Sequence, residues 1–227
     1  MERHNTLIPV VASLAVGAVA ALSLHRVYVC HLKQISRASD IPPSSMRKRW
    51  LYGHVTSVGD GDNFHLYHLP GGLRAGWGWL REVPLKHSQV RGQTISVRLC
   101  GIDAPERAHF GKPKQPYSEE ALIWLRKYIL HRYVYVKPLR LDQYGRVVGR
   151  VMVWTWLGWR DVGEEMLKCG LATLYEAQSG VEFDGRERIY RKREENARRK
   201  KLGLWKDFGK KIFETPREYK TRYSSGK

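Results

Sequence analysis

A chain of 227 residues, 42% hydrophobic and 27% charged, is long enough for one well-buried domain with a tail at each end. Its 40 Lys+Arg against 22 Asp+Glu give a formal charge of +18, which points to a polyanionic partner: nucleic acid first, an anionic membrane surface as the competing reading. Cys30, Cys100 and Cys169 are odd in number, far apart and without CxxC spacing, which argues against a disulfide framework, a zinc site and a disulfide-linked partner.

Leu7 to Leu24 carries no charge, and Val27, Tyr28 and Val29 extend the apolar run. A span of roughly 18 to 20 residues is what a bilayer crossing needs, so residues 7–29 read as an uncleaved anchor. Ala18, Ala20 and Ala21 keep a cleaved secretory signal open as the alternative. Arg26, Lys33, Arg37, Arg47, Lys48 and Arg49 crowd the C-terminal flank, which by the positive-inside rule turns the bulk of the protein toward cytosol or a matrix. Ser36 to Ser45, with Ile41-Pro42-Pro43, reads as a linker.

Trp50 to Val58 and Phe64 to Leu69 read as two strands, joined through Gly59-Asp60-Gly61-Asp62-Asn63, since Asp-Gly between strands is a hairpin signal. The residues that an EF-hand loop requires at its sixth and twelfth positions are missing. Pro70 to about Arg91, with Gly76-Trp77-Gly78-Trp79, is long for a hairpin connection. A lid, a membrane-dipping loop and an ordinary surface loop are all open, and the last is the default.

In the next strand Ile95, Val97 and Leu99 fall on one face and Ser96, Arg98 and Cys100 on the other. The run ends in Gly101 and Asp103-Ala104-Pro105-Glu106, where Pro105 fixes its own φ and pushes Ala104 into an extended conformation. A cation, a potential metal ligand and a second carboxylate thus share one strand and the stiff turn that ends it. Ser118 is the expected N-cap of a helix whose apolar face is Ala121, Leu122, Leu125, Ile129 and Leu130. Tyr133–Val136 and Val147–Trp154 read as strands joined around Asp142-Gln143-Tyr144-Gly145-Arg146. Val162–Leu171 reads as a short helix ending near Gly170, followed by an extended piece at Leu174-Tyr175. A last helix, Arg186–Lys201, holds nine Lys/Arg against three Asp/Glu, and the residues after Phe208 read as a polar tail.

Taken together, Asp60-Gly61-Asp62, Arg98 through Asp103-Ala104-Pro105-Glu106, Asp142 through Gly145-Arg146, the Gly170-Leu171-Ala172 helix end and the basic helix reaching Leu204-Trp205 resemble the staphylococcal nuclease (thermonuclease) family. With the anchor added, the chain is similar to the fungal membrane-anchored endonucleases of that family, which are assigned to mitochondria. The resemblance implies a five-stranded OB-type barrel with three helices, here preceded by an N-terminal transmembrane helix. It divides the chain into an N-terminal tail and anchor at 1–30, a basic linker at 31–49, a nuclease-like domain at 50–206 and a polar C-terminal tail at 207–227.

The same resemblance implies that Asp62, Asp103 and the backbone carbonyl of Ala104 bind calcium, with magnesium a weaker fit. Glu106 would be the general base, Arg98 and Arg146 the clamp on the scissile phosphate, and Tyr175 a substrate contact. Asn63 and Ala104 stand where the family usually has Thr, and the Trp-rich insert has no counterpart in the small bacterial members. The expected activity is calcium-dependent endonucleolytic hydrolysis of DNA and/or RNA. A catalytically inactive single-strand-binding OB module and a membrane scaffold are the alternatives, and the presence of Arg98, Glu106 and Arg146 together favours the enzyme.

Overall fold

In the computed structural model, residues 3–84, 87–108, 113–176, 180–209 and 214–224 are described. The strands are β1 (Leu51–Asp60), β2 (Asn63–His68), β3 (Ile95–Leu99), β4 (Ile102–Asp103), β5 (Tyr133–Leu141), β6 (Val147–Thr155), β7 (Gly158–Asp161) and β8 (Thr173–Leu174). The helices are α1 (Arg3–Val27), α2 (His87–Val90), α3 (Ser118–Ile129), α4 (Val162–Cys169), α5 (Glu187–Arg199) and α6 (Pro216–Ser224).

Sheet order is β3-β2-β1-β5-β6-β7, and a parallel β3–β6 pairing (Val97↔Val147, Arg98↔Val148, Leu99↔Gly149) closes five of these strands into the expected barrel. β7 extends β6 as a hairpin, and β4 pairs separately with β8. Closure leaves the barrel strands without a free edge. Alternating residues Val55, Phe64, Leu66, Ile95, Val97, Val134, Val136, Val151 and Val153 fill the interior. Each such buried side chain contributes about 1.5–3 kcal/mol of apolar transfer.

Three helices cover the barrel. α3 lays Ala121, Leu122, Leu125 and Ile129 on the core, while Arg126 donates to the Val58 carbonyl. The expected Ser118 cap is not formed. Ser118 is the first helical residue and Tyr117, at φ 66°, holds the cap position without a side-chain hydrogen bond. Asp161 caps α4 by accepting from the Glu164 N–H, and it also accepts from Tyr190 of α5 and Arg150 of β6. That one carboxylate locks two helices to the barrel wall.

Two segments depart from the plain reading of their composition. The stretch read as a linker packs on the barrel: Ala38 and Ile41 are buried in the main core, and the Ile35 N–H donates to His68 Nδ1 at 3.0 Å. Burial holds the His68 imidazole down at about 4, with Arg49 adding to the effect. The stretch read as a polar tail contains α6. In the insert after β2, Trp77 is buried against Tyr67, Leu69 and Val90, whereas Trp79 and Leu80 face outward.

Candidate active site

The sequence brings its carboxylates together through close backbone approach. Asn63 pairs with Arg98 across β2 and β3, and the Leu99 N–H donates to the Asp62 carbonyl at 2.9 Å. Gly61 permits the next contact, since a Cβ there would lie 2.8 Å from Ala104 Cβ and 3.1 Å from Ala121 Cβ. The Asp62 turn is therefore pressed onto the Asp103-Ala104 turn. Gly101, at φ 69°, bends the chain between β3 and β4, where a Cβ would meet the Phe183 ring at 2.5 Å.

Arg98 joins the two carboxylates. Its Nη2 lies 2.8 Å from Asp103 Oδ1 and 3.2 Å from Asp62 Oδ2. Burial lowers the affinity of this guanidinium for its proton, but Asp62 and Asp103 outweigh that and raise its pKa. Asp103 is nearly sealed, with 3% of its side chain exposed. Its burial, with help from Asp62, pushes its pKa up against the pull of Lys220 and Arg98. Asp60, at the end of β1, is raised to about 6 by burial and by the charges of Asp62 and Glu106, against a hydrogen bond from the Gly61 N–H. Four carboxylates thus share one neighbourhood.

Glu106 is positioned from both sides of its peptide by Gln115. The Glu106 N–H donates to Gln115 Oε1 at 2.7 Å, and the Gln115 N–H donates back to the Glu106 carbonyl at 2.9 Å. The Glu106 carboxylate remains one-third exposed. Its partner is Lys220 of α6, whose Nζ lies 2.9 Å from Glu106 Oε1 and 2.6 and 2.8 Å from the Asp103 oxygens. Gln115 Nε2 also donates to the Glu214 and Thr215 carbonyls, fastening the start of α6 beside the site.

Tyr175 follows β8, its N–H donating to the Gly101 carbonyl, and its ring centroid is 5.1 Å from the Arg98 Cζ. Arg98, Tyr175, Tyr144 and Asp142 line one pocket. Arg146 stands directly ahead of β6, which runs beside the Arg98 strand through the Val97↔Val147 pairing. It does not touch the carboxylates: its Nε is held by Asp142 Oδ2 at 2.7 Å, and its Cζ is 5.2 Å from the Tyr144 ring centroid. Burial works to raise the Asp142 pKa, but hydrogen bonds from Arg146 and Tyr144 outweigh it and lower the value.

Arg98, Asp62, Asp103, Glu106 and Tyr175 therefore form one cluster, with Arg146 on the neighbouring turn across the pocket. Three participants were missed in the sequence. Lys220 and Gln115 gave no local signal, whereas Tyr144 lay in plain view inside the Asp142–Arg146 turn. Among the described residues no three His, Cys, Asp or Glu side chains form a metal cage. Two carboxylates next to the Ala104 backbone make a sparser, hard-oxygen set, suited to calcium or magnesium with water completing the shell. The ammonium of Lys220, seated between Asp103 and Glu106, marks the place as one that attracts a cation.

Residues 96–207 match the family model described as staphylococcal nuclease homologue. The chain is 50% identical to the probable endonuclease LCL3 of Candida glabrata, over 94% of this chain and 91% of that protein. It is 54% identical to the protein of the same name from Komagataella phaffii, over 92% and 90%. The Scheffersomyces stipitis relative is 46% identical, over 98% and 93%.

Proposed function

From the premise that this chain belongs to the staphylococcal nuclease homologue family, we propose that it is a membrane-anchored, calcium-dependent endonuclease that hydrolyses phosphodiester bonds in DNA and/or RNA. The observation that carries the reading is Arg98 bound at once to Asp62 and Asp103, with Glu106 joined to the same Asp103 through Lys220.

The charge balance supports a metal. A phosphodiester entering this cluster meets Asp62, Asp103 and Glu106, and Arg98 and Lys220 together fall short of offsetting three carboxylates and the phosphate. Asp62, Asp103 and the Ala104 carbonyl are the residues that would hold calcium, with magnesium second. When bound, the cation supplies countercharge at the phosphoryl oxygens and makes nearby water more acidic.

The chain's own groups do the rest. Arg98 and Arg146 present planar paired donors that match phosphate oxygens bidentately. Glu106, held by Gln115 and open to solvent, takes a proton from the attacking water as its oxygen bonds to phosphorus. One ester oxygen then leaves with the electrons of the broken P–O bond and acquires a proton. Tyr175 and Tyr144 flank the entry beside the arginines, where aromatic rings can support a base or sugar.

The anchor is proposed for residues 7–29. Val10–Val27 has a mean hydropathy of 1.8 over 18 residues, and none of that window is buried in the fold. A mitochondrial location rests on the resemblance to the anchored fungal members. The proposed division is anchor at 1–30, barrel domain at 50–206, and flanking segments at 31–49 and 207–227.

The test is cleavage of labelled DNA and RNA by the full chain in calcium or chelator, beside Glu106→Gln. Cleavage lost in chelator and reduced by on the order of 100-fold or more in the variant supports the proposal. Equal cleavage with and without metal would count against it.

A further inference from the structure

One outer wall of the barrel carries large exposed apolar side chains at loop tips, where loop chemistry favours polar ones. The β6–β7 hairpin turns on Trp156-Leu157, and Trp156 is 90% exposed. Tight turns normally use Gly, Asn, Asp or Ser. The insert after β2 presents a second Trp-Leu pair, Trp79-Leu80, exposed by 74% and 73%. Trp154 and Trp159 stand behind the first pair, their ring centroids 5.2 Å apart.

Both tips border one outer wall of the barrel, where ring contacts run from Tyr133 and Tyr52 through Tyr135 to Trp159. β2 ends beside the start of β1 (Gly53↔His68), β1 starts beside β5 (His54↔Tyr133), and the start of β5 pairs with the end of β6 (Val134↔Val153). A side chain on Gly78 would come within 3.7 Å of the Tyr133 hydroxyl, so the insert sits against this same wall. The end of the N-terminal helical segment arrives there too. Leu32 lies 3.4 Å from where a Gly71 Cβ would stand, and Val29, Lys33, Leu73 and Arg74 line a common cavity. Basic groups rim the tips: Arg160 donates to the Leu157 carbonyl, Arg132 to the Trp154 carbonyl, and Arg81 stacks on Trp77. Acids are present as well: Asp40 lines the same cavity, and Glu165 shares the surroundings of Tyr128 with Arg132 and Arg160.

We propose that this tryptophan-bearing wall is a lipid-facing surface, seated in the headgroup layer of the membrane that the anchor spans. Exposed Trp and Leu with Arg and Lys around them are the chemistry of the bilayer interface. The junction between anchor and barrel leaves almost no slack, because residues 34–46 are themselves packed on the domain. Arg98 and the turn that carries Arg146 stand at the β3–β6 closure, across the five-strand barrel from the starts of β1 and β5 that the insert covers. The substrate class that follows is nucleic acid free in the aqueous phase, not nucleic acid lying on the bilayer. The inference rests on the proposed anchor and deepens it.

The test uses the full chain in phosphatidylcholine and phosphatidylglycerol vesicles, with lipids brominated at shallow acyl positions or unbrominated, beside a Trp79→Ala/Trp156→Ala double variant. Wild-type tryptophan emission is quenched by brominated lipid, with at least roughly a quarter of it lost, the share of two residues among the eight tryptophans. The variant loses most of that quenching and still resists alkaline carbonate extraction. Carbonate-resistant protein with unquenched emission, or a variant quenched like wild type, overturns the lipid-facing surface and leaves the anchor standing. Protein extracted by carbonate overturns both.

Discussion

Arg98 is the residue on which the reactive cluster turns, because a single guanidinium contacts two carboxylates that would otherwise repel each other. Asp60 shows the cost of crowding acids in a half-closed space. Its pKa, raised to about 6 by burial, means that the folded protein binds this proton more tightly than the unfolded chain does. The resulting stabilisation is complete below the unfolded value near 3.8 and is lost as pH rises through about 6. In chelator, Asp60→Asn should therefore raise the melting temperature at pH 8 and leave it unchanged at pH 4, as read by thermal denaturation at the two pH values. A lower melting temperature at pH 8 would show that the charged form is stabilised by partners stronger than the Gly61 N–H.

At the scale of elements, the unexpected contributor is α6. Its lysine reaches Asp103 across 117 residues of sequence, and the partly exposed ion pairs it makes compete with any cation for the same oxygens. Lys220→Gln should tighten calcium binding by roughly three- to tenfold, the effect of removing a competing charge worth about 0.5–1.4 kcal/mol. Isothermal titration of the full chain with calcium reads this directly, and unchanged or weaker affinity would mean that α6 supports the metal site.

What was legible in the sequence at this scale follows from range. The Arg98 strand, the Asp103 turn and α4 announce themselves by local periodicity and by Gly or Pro at their ends. Barrel closure by the β3–β6 pairing, the docking of Ile35, Ala38 and Ile41, and the Lys220 contact all depend on partners distant in the chain. Composition hid them: a Ser- and Pro-bearing stretch reads as linker, and a Lys- and Arg-rich end reads as tail. Ser118 looked like a cap because its residue type suits one, but Tyr117 in the left-handed region starts the helix one residue earlier.

The whole molecule is polarised across its barrel. One side gathers the anchor terminus, the insert and the exposed tryptophans; the side of the β3–β6 closure gathers Asp62, Asp103, Glu106, Tyr144, Arg146 and Tyr175. A net charge of +18 surrounds both, suited to anionic lipid on one side and a phosphate backbone on the other. The fold itself is compatible with a binding module as well as an enzyme, so the assignment stands on the site. It requires that Arg98 and Arg146, on adjacent strands but without direct contact to each other's carboxylates, act on one phosphate.

A double-mutant cycle on the cleavage rate tests that requirement most directly. At saturating calcium, Arg98→Ala and Arg146→Ala should each cost on the order of 3 kcal/mol in activation free energy. Together they should cost clearly less than the sum, because the two guanidiniums serve the same transition state. Wild-type cleavage by Arg146→Ala, or strictly additive losses, would contradict a shared phosphate clamp.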